Sequence, residues 1–157
     1  MICEVSKDER LIRKQLKKVA KIALEDGFNL NKWKLIDDKN IVWLTVKDET
    51  GIVAICKIRV LQASMIDIHP YALPNQCNKW KTIVKCLLRW VYSNKKINKV
   101  IAFIGINHKT TYILALKIGF NDEGLIKQSY LKDGKLHDQH VVGLTRKEIG
   151  DLYEFEQ

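Results

Sequence analysis

MIDIHPYALP at residues 65–74 runs into NQCNKW at 75–80 and KTIVKCLLRWVYSN at 81–94. The three words read as an alternating strand, a polar break and an amphipathic helix. Asn78 stands where a helix N-cap belongs. Trp80, Ile83, Val84, Leu87, Leu88 and Val91 recur at the i, i+3, i+4, i+7 spacing of one buried face. Lys99-Val-Ile-Ala-Phe-Ile104 follows, almost wholly apolar, too short for a helix and flanked by polar residues, as a strand covered on both faces should be. Strand, helix and buried strand predict a βαβ unit with parallel strands and a right-handed crossover. The loop that enters the helix is a natural anion site, because unpaired backbone N–H groups point out of it.

The 157 residues, 46% of them apolar, suit one globular domain over 1–157. A domain of that size buries about two-thirds of its unfolded surface and needs neither disulfide nor metal to fold. Cys3, Cys56, Cys77 and Cys86 form no CxxC pair, and Cys56 and Cys86 fall in apolar elements where a reduced thiol acts as a small hydrophobe. A reducing, cytoplasmic setting is expected. MICEVSKDER lacks the apolar core of a signal peptide, and no apolar run approaches the length of a membrane span. Net charge is +9, but the lysines are scattered and accompany abundant Ile and Asn, so nucleic acid is not the expected partner. A basic surface would equally attract a polyphosphate-bearing cofactor.

Outward from the centre, Ile2–Val5 reads as a short strand. Ser6 and Glu9 match the S-x-x-E capping box, and Ile12, Leu16, Val19, Ala20 and Ala23 line a helix that should stop near Gly27. Ile41–Lys47 and Ile52–Leu61, joined by Asp48-Glu-Thr-Gly51, predict a hairpin that leads into the strand at Met65. His108–Ile118 reads as a helix ended by Gly119 in the left-handed conformation. A final hairpin spans about 123–131 and 135–144 around Lys132-Asp-Gly134, and 147–157 adds a helical turn or frays.

Alternation on the central strand puts Asp67, His69 and Tyr71 on one face, with Ile66, Ile68 and Pro70 on the other. His137 and His140 differ in parity, which argues against a metal cluster with Asp138. Cys77 has no matched His or Asp by spacing and reads as a loop cysteine. Packing accounts for Trp33, Trp43, Trp80 and Trp90.

The order β, α, ββ, β, α, β, α, ββ, with Asn107 after the buried strand, Gly119-Phe120, Glu123-Gly124 and the hairpin end Gly143-Leu-Thr-Arg146, resembles the GNAT acetyltransferases over about residues 40–148. His69-Pro-Tyr-Ala-Leu-Pro74 with Asp138-Gln139 is also similar to small GNAT-like proteins of tailed bacteriophages. The resemblance implies an α/β three-layer sandwich, its mixed, mostly antiparallel sheet built round a central parallel βαβ pair and splayed at the fourth and fifth strands. It also implies acetyl-CoA as cofactor and an amine of a protein or small molecule as acceptor. The alternative is a catalytically inactive member serving as a binding or assembly protein, in a phage virion or its morphogenesis.

The family's cofactor loop, Q/R-x-x-G-x-G/A, falls on Gln76-Cys-Asn-Lys-Trp-Lys81. Framed on Gln76, its glycine positions hold Lys79 and Lys81; framed on Cys77, they hold Trp80 and Thr82, and no glycine occurs between Gly51 and Gly105. Glycine lets the backbone approach the phosphates, so a Trp or Lys there is expected to crowd the approach while Lys79 and Lys81 replace some of the lost amide contacts with charge. Gln76, Cys77, Asn78, Lys79, Trp80, Lys81 and Asn107 are the implied cofactor residues. Counting back from Gly119-Phe120 puts the family's Asn on His108, a slip that a bulge at Gly105 would restore. The family's Tyr acid aligns with Ala115, while Tyr112, a turn earlier, reads as a core-edge residue. Acetyl transfer needs a base, an oxyanion donor and an acid. Asp67 or His69 is the implied base, directly or through water, and Tyr130 is placed near the acceptor. Without catalysis, Asp67 and His69 are hydrogen-bonded structural residues near a strand end.

Overall fold

The computed structural model describes residues 1–26, 28–35 and 38–154. The hairpin words fold into β1 (Ile2–Val5), β2 (Ile41–Asp48), β3 (Gly51–Gln62) and β4 (Met65–Ala72), each antiparallel to the next. With β5 (Lys99–Gly105), β6 (Asn121–Lys132) and β7 (Lys135–Thr145) they form a seven-stranded sheet in the order β1-β2-β3-β4-β5-β7-β6. Among these, β4 and β5 run parallel, as the βαβ reading requires.

Helices cover both faces. The first, α1 (Glu9–Ala23), sets Ile12 and Leu16 on Trp43 of β2 and Ile55 of β3. On the other face α2 (Trp80–Ser93) buries Ile83, Leu87, Leu88 and Val91 against Leu44, Cys56, Ile58, Ile66 and Ile68. This is the larger core, and α3 (Lys109–Ile118) and α4 (Arg146–Tyr153) complete it with Ile118 and Ile149. Gly119 closes α3 at φ +114°, and a Cβ there would come 2.6 Å from Leu152. The conformation demands glycine, while the Leu152 side chain end could shift to make room.

Three local expectations are corrected. Ser6 does not cap α1: its N–H still bonds Trp43 O across the sheet at 2.8 Å, and Asp8 is the cap, accepting from Leu11 N–H at 3.0 Å. Glu9 turns instead to Arg13 and the Leu35 N–H. A reciprocal capping box does occur at Thr145 and Glu148, which makes Arg146–Tyr153 a two-turn helix where a single helical turn or fraying was expected. Asn78 does not cap α2 either. It lies in a 3₁₀ turn, Cys77–Lys79, that delays the α-helix to Trp80 and leaves Lys79 at the N-cap without a side-chain capping bond. Helix α1 ends at Ala23, and Gly27 lies outside the described residues.

Candidate active site

Strands β4 and β5 pair at Met65–Lys99, Ile66–Val100 and Asp67–Ile101 and then part. Past that point β4 stays with β3 as far as Ala72, while β5 follows β7 as far as Gly105. A V-shaped cleft opens between them. Pro70 falls on the open edge of β4, where a residue without an N–H costs no ladder bond.

Register and alternation put Lys57 and Arg59 of β3 and Asp67, His69 and Tyr71 of β4 on the α1 side of the sheet. Asp67 is fully buried at the apex of the cleft. Its Oδ2 accepts from Arg59 Nη2 at 2.6 Å and meets His69 Nε2 at 2.9 Å, while its Oδ1 has no partner among the described residues. A carboxylate oxygen that already receives a guanidinium N–H can only accept. His69 is thereby held as the tautomer that donates from Nε2, with its Nδ1 lone pair left over. The His69 side chain is 31% exposed, so that nitrogen belongs to a group the solvent can reach.

Tyr130 comes from the far arm. Residues 121–129 of β6 are exposed, but a register shift between Ile126 and Tyr130, with Gln128 at φ +49°, turns Tyr130 inward to 7% exposure. Burial pushes its phenol up, helped by Glu25, Asp26 and Asp133, and burial likewise holds Tyr71 well above the tyrosine range. The Tyr130 ring lies 6.3 Å from that of His108, which burial pushes down. The segment after α1 closes over this side: Asp26 N–H donates to Leu131 O at 3.1 Å, Gly134 N–H to Asp26 Oδ2 at 2.7 Å, and Lys132 Nζ to Leu24 O at 2.6 Å.

The predicted cofactor residues occupy the two rims. Residues 76–81 follow β4 at the start of α2, and Asn107 follows β5 in a turn closed by His108 N–H on Gly105 O at 2.8 Å. No bulge occurs at Gly105, which pairs in register with Gln139. A Cβ there would come 2.6 Å from Asn107 Oδ1, so any other residue would have to displace that side chain. Trp80 does not stand in the loop: its side chain packs on the main core. Lys79 is also committed elsewhere, with Nζ 2.7 Å from Asp48 Oδ2. Lys79, then Thr50, holds the Asp48 carboxyl well below its ordinary range. Gln76 Oε1 is buried without a partner among the described residues.

Tyr112 sits at the core edge, stacked on His140 at 3.8 Å and donating to Asp122 Oδ2 at 2.7 Å. His140 thus faces α3, while His137 pairs with Tyr130 on the other side of β7. Sequence reading missed Lys57 and Arg59. Their signal was present in the hairpin register, which sets them opposite His69 and Asp67. A concavity of about 280 Å³ bounded by residues 5–7, Leu35 and residues 41–43 lies at the β1–β2 edge, and its lining among the described residues holds no carboxylate, imidazole or thiol.

A mixed sheet that parts beside its one parallel pair, with a helix start at one rim, is the fold of the GNAT acetyltransferases. Solved structures match it over nearly the whole chain. A chimera of the Vibrio cholerae spermidine N-acetyltransferase superposes with a TM-score of 0.80 at 12% identity, covering 95% of this chain and 99% of that one. The Vibrio cholerae spermidine N-acetyltransferase in complex with CoA and spermine gives 0.76 at 12% identity, covering 94% and 97%. These neighbours lend no support to the likeness to phage proteins. No family model and no curated protein matches the sequence.

Proposed function

We propose that the chain is an acetyl-CoA-dependent N-acetyltransferase acting on an amine. The observation that carries this reading is the Asp67-oriented His69 on the wall of a cleft whose rims hold a helix start and an Asn turn. The rims fit the group. Cys77 and Asn78 N–H have no backbone partner among the described residues, Gln76 Oε1 is buried and unpaired, and Lys81 is exposed beside them. These residues would hold the phosphates, with Asn107 across the cleft. When bound there, acetyl-CoA supplies the activated thioester carbonyl.

The chain's own groups do the rest. His69 Nδ1 accepts a proton from the incoming ammonium, and Asp67 stabilises the imidazolium through Nε2. The Tyr130 phenol, raised by burial, keeps its proton at neutral pH and offers a donor at the far wall. The segment pinned by Asp26 keeps water from that side. A small polyamine is the first acceptor to try. Structural neighbours are named for spermidine, and Glu25, Asp26 and Asp133 lend negative potential around Tyr130.

Transfer of labelled acetyl groups to a panel of polyamines and lysine peptides tests the reading. His69→Gln should lower the rate about a hundredfold or more with little change in stability. An undiminished rate in that variant would remove His69 as the base. A binding protein without transfer is the second reading, favoured by the glycine-free loop and by the engagement of Lys79 with Asp48.

A further inference from the structure

Lys57 lies on β3 directly opposite His69, two residues from the Arg59 that holds Asp67. Its partner on the other side is Trp43 of β2, buried against α1. The lysine therefore stands half-buried between an indole and the site imidazole. Among the described residues its ammonium has no hydrogen bond and no ion pair, for Asp67 Oδ2 is taken by Arg59 and His69. Burial, then the Arg59 guanidinium, pushes that ammonium below the ordinary lysine range against the weaker pull of Asp67 and Glu25. A lysine in this condition carries more of the neutral, nucleophilic amine than its exposed neighbours. Only β4 separates it from the open cleft. That is one strand spacing, about 4.8 Å, which an extended four-carbon stem can span.

We infer that Lys57 is a self-acetylation site, its amine taking an acetyl group from the thioester that the cleft of the same chain holds; this rests on the proposed function. The Nζ lone pair attacks the thioester carbonyl carbon, an N–C bond forms, and the C–S bond breaks with its electron pair on sulfur. The proton lost by nitrogen passes to His69 Nδ1 and on to the thiolate. Amine and thioester become amide and thiol, with no oxidant or reductant required. The amide is stable, so the product is a lasting modification rather than a catalytic intermediate. It removes a cation from the floor of the acceptor side and fills that space with an acetyl group.

The whole chain, incubated separately with acetyl-CoA, with free CoA and with trace acetic anhydride, is mapped for acetyl-lysine by peptide mass spectrometry. Acetyl-CoA should modify Lys57 at a rate per molecule independent of protein concentration. Acetic anhydride should label it faster than the mean of the exposed lysines. Lys57→Arg should abolish both signals, and His69→Gln should slow the first while leaving the second. Labelling spread over the lysines according to exposure, or a rate that rises with protein concentration, overturns the inference. So does an unmodified Lys57 in a chain whose unfolding temperature acetyl-CoA raises, which leaves the transferase reading standing. If acetyl-CoA raises no unfolding temperature, the transferase reading fails and self-acetylation falls with it.

Discussion

Trp80 occupies a position where the family loop carries glycine in one of the two possible frames, and its indole faces the core instead of the phosphates. Trp80→Gly should therefore remove packing rather than open a site. The expected loss is about 3 kcal/mol, read by denaturant unfolding, with no gain in acetyl-CoA affinity by calorimetry. A gain in affinity would restore occlusion as the defect of this loop. Lys79 shows the same principle with charge. The folded chain holds the Asp48 proton less tightly than the unfolded one, so the ion pair with Lys79 adds stability above the unfolded carboxyl value, about pH 4, and loses it as pH falls further. Asp48→Asn should lower the unfolding midpoint at neutral pH, and the difference from the parent should shrink towards about pH 2. A difference that stays constant down to that pH would mean that the pair is not the source.

At the scale of elements, Arg146 carries more than the C-terminal word Gly143-Leu-Thr-Arg146 suggests. Its guanidinium donates to Tyr92 O and to Asn94 O and lies 4.6 Å over the Tyr92 ring, tying the start of α4 to the end of α2. Arg146→Ala should cost about 2 kcal/mol, or about 4–8 °C in the unfolding midpoint. Lys at this position should recover less than half, for an ammonium lacks the planar group that bonds both carbonyls while lying over the Tyr92 ring; full recovery would assign the effect to charge alone. Strands and helices were legible because period-two and i+3, i+4 recurrence survive in the sequence, and the hairpin turns are short. Caps were less so: Ser6, Asp8 and Asn78 are all plausible from local chemistry, and the choice among them depends on whether the preceding backbone is still paired to β2 or wound into a 3₁₀ turn. The Asp67–His69 face was readable from alternation. Arg59 and Lys57 were not, since they join it only through the register between β3 and β4, and the inward turn of Tyr130 depends on a register shift in β6.

For the whole molecule, the three layers set the proposed site between α1 and the splayed sheet, opposite the large core under α2. Among the described residues no helix is long and apolar enough to cross a membrane. A net charge of +9 draws any polyanion, so attraction alone is no sign of a built site. Structural likeness at 12% identity bears on the fold, and the use made of the cleft has to be measured. The most direct measurement is thermal unfolding of the chain with acetyl-CoA, with free CoA, and with ATP as a polyanion control. Ligand at about a hundred times its dissociation constant adds about 2.7 kcal/mol, a rise of several degrees for a domain of this size. That rise is expected with both CoA species and not with ATP. Equal shifts with all three, or none at millimolar acetyl-CoA, would contradict the transferase reading.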